Sequence, residues 1–502
     1  MDLKAHPHII QGGMGIAISD WKLAKTVSQL GYLGVVSGTA INSVLVRRLQ
    51  DGDLDGSTRR ALKSFPNQAI CESILNAYFI EGGKNHETPY KRAPLYNLKS
   101  SKNLLQLTMA ASFVEVFLAK ENHDGVIGLN LLEKVALPNL ACIYGALLAN
   151  VNYVIMGAGI PREIPGALDL LSQNKIASLK IPVVGATADE DHRTFFDPTE
   201  VLGAEFFKPL HRPYFFPIVS SSTLALSLKR KSTGTVDGFI VESPLAGGHN
   251  APPRGPIKLS CLGEPIYGDR DAVCLTEMKD IGLPFWMAGH YATPKQIQEV
   301  KESGAHGIQV GTLFAFCDES GLDKDLKQYV INKILAKENP QDGWVFTDPL
   351  SSPTGFPFKA VRLEHSLSND DVYKKRMRIC DLGYLRHAYK TPEGTVAQRC
   401  PAEPVDDYVK KGGAIEETVG RKCLCNALMA DIGMSQKQSD QTFEKPLLTA
   451  GDDLNNLMKI LTISASGKNY QAADVIKFLE NLCDSISNKD AASTMPTITT
   501  SL

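Results

Sequence analysis

Phe285-Trp286-Met287-Ala288-Gly289-His290 and, a helical stretch later, Gly304-Ala305-His306-Gly307-Ile308-Gln309-Val310-Gly311-Thr312 decide how this chain is read. Each is a short apolar run of the kind that forms a buried strand, and each stops at a glycine where a following helix would begin. Strand, glycine and helix in repetition are the alternation of a parallel α/β sheet. Two such strand ends in succession are the usual phosphate positions of a (β/α)8 TIM barrel. Free N–H groups at a helix start, with the Thr312 hydroxyl, can hold a dianion there without any lysine.

Working outward, the same alternation marks Ile9–Gln11, Gly34–Ser37, residues 126–132, Tyr153–Gly157, residues 181–185, 216–220 and 238–242, besides the two strands already quoted. That is nine candidates for eight places. Residues 181–185 are the ones to exclude, because a polar stretch (187–198) follows with no obvious crossover helix; a side hairpin is expected there. Periodicity alone also allows an open doubly wound sheet, because buried parallel strands look alike in either architecture. The barrel is expected to occupy residues 1–38 and 126–317. Residues 39–125 form a helical insertion over the mouth, with helices at 44–63 and 104–120. Residues 318–485 form a C-terminal extension that caps the barrel and ends in a helix near 472–482. Residues 486–502, Ser/Thr-rich in their last dozen, are expected to be disordered.

At 502 residues, with 22% charged residues and a formal net charge of −2, the chain has the make-up of an ordinary soluble protein and no electrostatic footprint for nucleic acid. No apolar run approaches the roughly 18 residues that span a bilayer, and residues 1–15 lack the pattern of a signal peptide. Ten scattered cysteines then read as reduced thiols, which places the chain in the cytoplasm.

Gln11-Gly12-Gly13-Met14-Gly15 follows the first strand; its glycines either let amides approach a flat ligand such as a flavin ring or simply make a tight turn. Glu242-Ser243-Pro244-Leu245-Ala246-Gly247-Gly248-His249 ends a strand at the same rim. His249 is the acid/base candidate, since an unperturbed imidazole titrates near neutrality. Asn130 either contacts a ligand or caps a helix, and Ser220 and Ser221 pose the same choice. Cys423 and Cys425, with Cys400 and Cys380, lack the paired spacing of a zinc site, and no metal is expected. The basic clusters 229–231 and 374–376 read as solvated faces, though they would also attract an acidic partner.

Together these residues resemble the nitronate monooxygenase (2-nitropropane dioxygenase-like) family, whose relatives include FMN-dependent enoyl-acyl-carrier-protein reductases. The landmarks are residues 10–15, Gly128-Leu129-Asn130, Gly157-Ala158-Gly159-Ile160-Pro161, Ala246-Gly247-Gly248-His249 and residues 307–312. The insertion and the long C-terminal part, with residues 352–359 and Cys380-Asp381-Leu382-Gly383-Tyr384, are similar to the trans-acting enoyl reductases of polyketide and polyunsaturated fatty acid synthases. The resemblance implies FMN, bordered by Gly12, Gly13 and Met14, contacted by Asn130, Ser220, Gly247 and Gly248, and held at its phosphate by Ala288, Gly289, Gly311 and Thr312. It makes His249 the active-site histidine. Ala288 stands where relatives commonly carry glycine, so its methyl reshapes the phosphate turn.

The activity the resemblance implies is reduction of the α,β-double bond of an enoyl thioester on an acyl carrier protein or polyketide synthase module. NADPH (or NADH) would be the reductant and His249 would serve the α-carbon. Oxidation of alkyl nitronates with O2 is the alternative enzymatic reading, and a flavin-containing synthase assembly subunit the non-catalytic one. A homodimer is compatible with either.

Overall fold

A computed structural model describes residues 6–338 and 343–480; the expectations for residues 481–502 lie outside that range. Eight parallel strands form one sheet: β1 (Ile9–Gln11), β2 (Gly34–Ser37), β3 (Ile127–Leu132), β4 (Tyr153–Gly157), β5 (Tyr214–Val219), β6 (Phe239–Glu242), β7 (Phe285–Ala288) and β8 (Gly307–Val310). Their spatial order, β1-β8-β7-β6-β5-β4-β3-β2, brings the first strand beside the last. A parallel bridge between Ile10 and Leu33 joins the remaining edges and closes the barrel. The Gln11 side chain strengthens that seam: its Oε1 accepts the Val35 N–H at 3.0 Å and its Nε2 donates to Ser19 Oγ at 2.8 Å.

Alternation along each strand divides the core in two. Ile10, Val35, Tyr153, Ile155, Phe216, Ile240 and Trp286 fill the barrel interior, with the Phe216 and Trp286 rings stacked 4.7 Å apart. Their neighbours, such as Val154 and Met156, face the outer helices. The amino-terminal end is plugged: His6 Nδ1 lies 2.9 Å from the Tyr153 hydroxyl, and the Trp286 indole donates to the Pro7 carbonyl at 3.0 Å. Among the described residues the interior is therefore solid below, and the cavities that reach the strands lie at their carboxyl ends.

Residues 181–185 stand outside the barrel, but not as a hairpin. Val183–Val184 runs parallel to His387–Lys390 of the C-terminal part, and the hairpin is made by its flanks, Ala177–Lys180 against Arg193–Phe196. The single helix expected at 44–63 is two, Ile41–Gln50 and Ser57–Lys63. Asp53, at φ 43°, breaks the run, and its carboxylate accepts the N–H groups of Thr58 and Arg59 at 2.9 Å each. Lys102–Lys120 belongs to the outer ring, packed between Trp21–Gln29 and Ala136–Leu148. Gly145 allows the close crossing, since a Cβ there would sit 2.0 Å from the Met109 carbonyl oxygen.

The C-terminal part is stitched to the loop after β6. Gly248–His249 pairs with Phe358–Lys359, which in turn pairs with Val345–Asp348, in an antiparallel sheet. Among the described residues no helix is long and apolar enough to cross a membrane.

Candidate active site

One cavity of about 1460 Å³, open mouth included, occupies the carboxyl end of the barrel. It gathers Gly12, Gly13, Met14, Asn130, Gly247, Gly248, His249, Ala288, Gly289, Gly311 and Thr312. Ser220 lies elsewhere, in an adjoining cavity of about 910 Å³ that shares Ala158, Ile218, Glu242 and His249 with the first. Ser221 is a helix cap whose Oγ accepts the Leu224 N–H at 3.1 Å.

The phosphate corner forms where β7 and β8 end. Thr312–Ala315 starts a short helical turn, and among the described residues the N–H groups of Gly311, Thr312 and Leu313 donate to no acceptor. Thr312 Oγ accepts the Gly451 N–H at 2.9 Å, which leaves its own hydrogen to donate. Gly289, at φ 83°, is confined to a backbone that a side chain would strain, and a Cβ there would lie 2.5 Å from Ser243 Oγ. The 449–453 segment closes this corner against Gly247, where a Cβ would meet the Ala450 carbonyl carbon at 2.5 Å. It also brings Asp453 Oδ1 to 3.1 Å from His290 Nδ1. Burial pushes the Asp453 carboxyl up and the imidazole partly offsets it.

Unpaired amides, a free hydroxyl hydrogen and His290 make a cradle for a phosphate, and among the described residues no lysine or arginine lines the cavity. These residues fit the phosphate of FMN. The Gly12-Gly13 turn and Asn130 fit its ring. Gly13 packs so tightly that a Cβ would lie 2.2 Å from Asn130 Cβ, and the Asn130 side chain caps no helix. The Met14 N–H is not available to a ligand, because it donates to Ser19 Oγ at 3.0 Å.

His249 is held from the C-terminal part. Its Nε2 lies 2.7 Å from Ser352 Oγ and its ring meets Phe358 edge-on at 4.9 Å. Burial lowers its pKa to about 4, and nearby Lys134 adds to the effect. The free imidazole is therefore neutral at physiological pH, not poised near 6.5 as its residue type suggests. Glu242, the last residue of β6, moves the other way: burial raises its carboxyl to about 7. Sequence reasoning placed Glu242 at the rim without a role, and it missed the far wall, Phe358, Tyr384, Leu424, Cys425 and residues 449–451, because nothing local marks residues that reach the mouth from so far along the chain.

The fold and this site define a (β/α)8 barrel with a phosphate cradle and an ionisable pair at its mouth. No protein-family model and no curated protein matches the sequence. Among solved structures the chain is similar to FabK from Thermotoga maritima (14% identity, TM-score 0.43, 98% of this chain and 97% of that one). It is similar also to nitroalkane oxidase from Streptomyces ansochromogenes (13%, TM-score 0.46, 98% and 99%). The enoyl reductase domain of MlnA from Bacillus amyloliquefaciens is a third (9%, TM-score 0.46, 97% and 96%).

Proposed function

We propose that the chain is an FMN-dependent oxidoreductase that uses NADPH to reduce the α,β-double bond of an enoyl thioester carried by an acyl carrier protein, in the cytoplasm. The observation that carries this reading is that Gly289, Gly311 and Thr312, whose amides donate to no acceptor among the described residues, line the cavity that also holds His249 and Glu242. When bound, FMN supplies the hydride chemistry. The chain's own residues bind and orient: the Gly311 turn and Thr312 take the phosphate, and Gly13 and Asn130 form the floor. His249, neutral and braced by Ser352, offers a hydrogen bond to the thioester oxygen as charge gathers there. Phe358 and the 449–453 segment exclude water from the same space. The main cavity, at about 1460 Å³ with its open mouth, leaves an acyl chain room beyond the reacting carbons, which a small nitronate does not need.

The test begins with the absorption spectrum of the purified protein and titration with FMN. Anaerobic NADPH-driven reduction of a crotonyl thioester is then compared with oxygen consumption on propyl nitronate. Thioester reduction supports the proposal; nitronate turnover without it installs the oxidase reading. A folded protein that binds no FMN refutes both, and leaves the assembly role without its flavin as well.

A further inference from the structure

The reduction proposed above needs a proton at the α-carbon, and we propose that Glu242 delivers it, recharged by water through the adjoining cavity. This rests on the enoyl reductase reading. Glu242 ends β6 at the threshold between the two cavities and lines both. The side chain is half-buried, and its carboxyl has no hydrogen bond or ion pair among the described residues although it lines both cavities. A half-buried carboxyl without a protein partner is costly to keep, and a strand that merely needed to end would not require one.

The ionisable groups sharing that space are His249, His290 and Asp453 on one side, and Arg254, Tyr267 and Asp271 on the other. Tyr384 and Cys425 on the far wall are held protonated by burial. Of these, His249 lacks the proton at neutral pH, and His290 and Asp453 engage each other. Glu242, raised to about 7, can be acid in one half of a cycle and base in the next.

The step balances as follows. The hydride, which bound FMN would supply at the expense of NADPH, would form the β C–H bond as the C=C π bond breaks. The electron pair left at the α-carbon takes the proton of the Glu242 O–H, forming the second C–H bond. The resulting carboxylate takes up a proton from bulk solvent, relayed by water through the adjoining cavity, whose polar wall includes Ser220, Asn250 and Tyr267.

The test compares the FMN-loaded wild type with Glu242→Gln and Glu242→Asp in stopped flow, following NADPH-driven bleaching and reoxidation by crotonyl-CoA separately. Bleaching by NADPH stays within about 2-fold, whereas reoxidation by the thioester slows about 100-fold or more in Glu242→Gln and less in Glu242→Asp. Infrared titration of the same proteins shows a protonated carboxyl that disappears with a midpoint near 7 in the wild type and is missing from Glu242→Gln. A wild type that crotonyl-CoA does not reoxidise sinks the reductase reading and this step with it. A wild type that turns over while Glu242→Gln keeps pace sinks the proton role alone. Loss of folding or of FMN in Glu242→Gln is judged on Glu242→Asp, where full-rate reoxidation together with no titrating carboxyl in the wild type overturns the assignment.

Discussion

Replacing His249 and Glu242 one at a time with glutamine should unmask two opposite pH dependences of stability that cancel in the parent protein. The Glu242 carboxyl rises from 4.5 to about 7 on folding, so the folded chain holds a proton that the unfolded chain releases. Its contribution is full below 4.5 and is lost as pH rises through 7. The His249 imidazole falls from 6.5 to about 4, so the unfolded chain takes a proton that the folded chain refuses. That contribution is present above 6.5 and is lost as pH falls toward 4. At about 1.4 kcal/mol for each pH unit in the overlapping window, acidification from pH 7 to pH 5 strengthens the Glu242 contribution by about 2 kcal/mol and weakens that of His249 by about the same. Groups that titrate elsewhere, such as Asp20, drop out when each variant is compared with the parent at the same pH. Urea midpoints of the cofactor-free proteins at pH 5, 6 and 7 provide the measurement. Relative to the parent, His249→Gln gains about 2 kcal/mol between pH 7 and pH 5 and Glu242→Gln loses about 2. Variants whose pH profiles run parallel to the parent's would refute the assigned burial effects, and with them the neutral imidazole and the half-protonated carboxyl.

Thr312→Val leaves the Gly451 N–H without its acceptor, which costs about 1–3 kcal/mol on thermal unfolding, and it weakens FMN about 10-fold by fluorescence titration. Gly289→Ala imposes a left-handed backbone cost of about 1 kcal/mol and drives a methyl onto Ser243. FMN affinity should fall at least about 10-fold, and unchanged affinity would mean that the phosphate sits elsewhere. Ser352→Ala removes the brace on His249 Nε2. FMN binding then holds within about 2-fold while thioester turnover drops about 10-fold in kcat with little change in KM; equal losses in both FMN binding and kcat would make Ser352 merely structural.

What was legible in the sequence follows from range. The ends of β7 and β8 announce themselves within a few residues, because an apolar run and a glycine suffice to mark a strand tip. The exclusion of residues 181–185 came from an equally local cue, the missing crossover helix. Its actual partner, His387–Lys390, is some two hundred residues away and could not be read from pattern. The break at Asp53 was hidden inside a helical periodicity that Gly52 and Gly56 only weakly interrupt. Ser220 and Ser221 are alike in sequence, and only the structure separates the cavity residue from the helix cap.

The electrostatics of the site were illegible for a deeper reason. A residue type fixes only a reference pKa, whereas the shifts that give Glu242 and His249 their protonation states are burial effects, to which for His249 the C-terminal part contributes through Ser352 and Phe358. His249 is paired in a sheet with Phe358, hydrogen-bonded to Ser352, and enclosed by walls from beyond residue 380. A barrel lacking those segments would leave the same imidazole in water, near its ordinary pKa and free to turn. On the proposed function the C-terminal part is therefore half of the active site rather than a lid over it, because it would make a rim histidine a fixed neutral hydrogen-bonding group and leave proton transfer to the carboxyl at the end of β6.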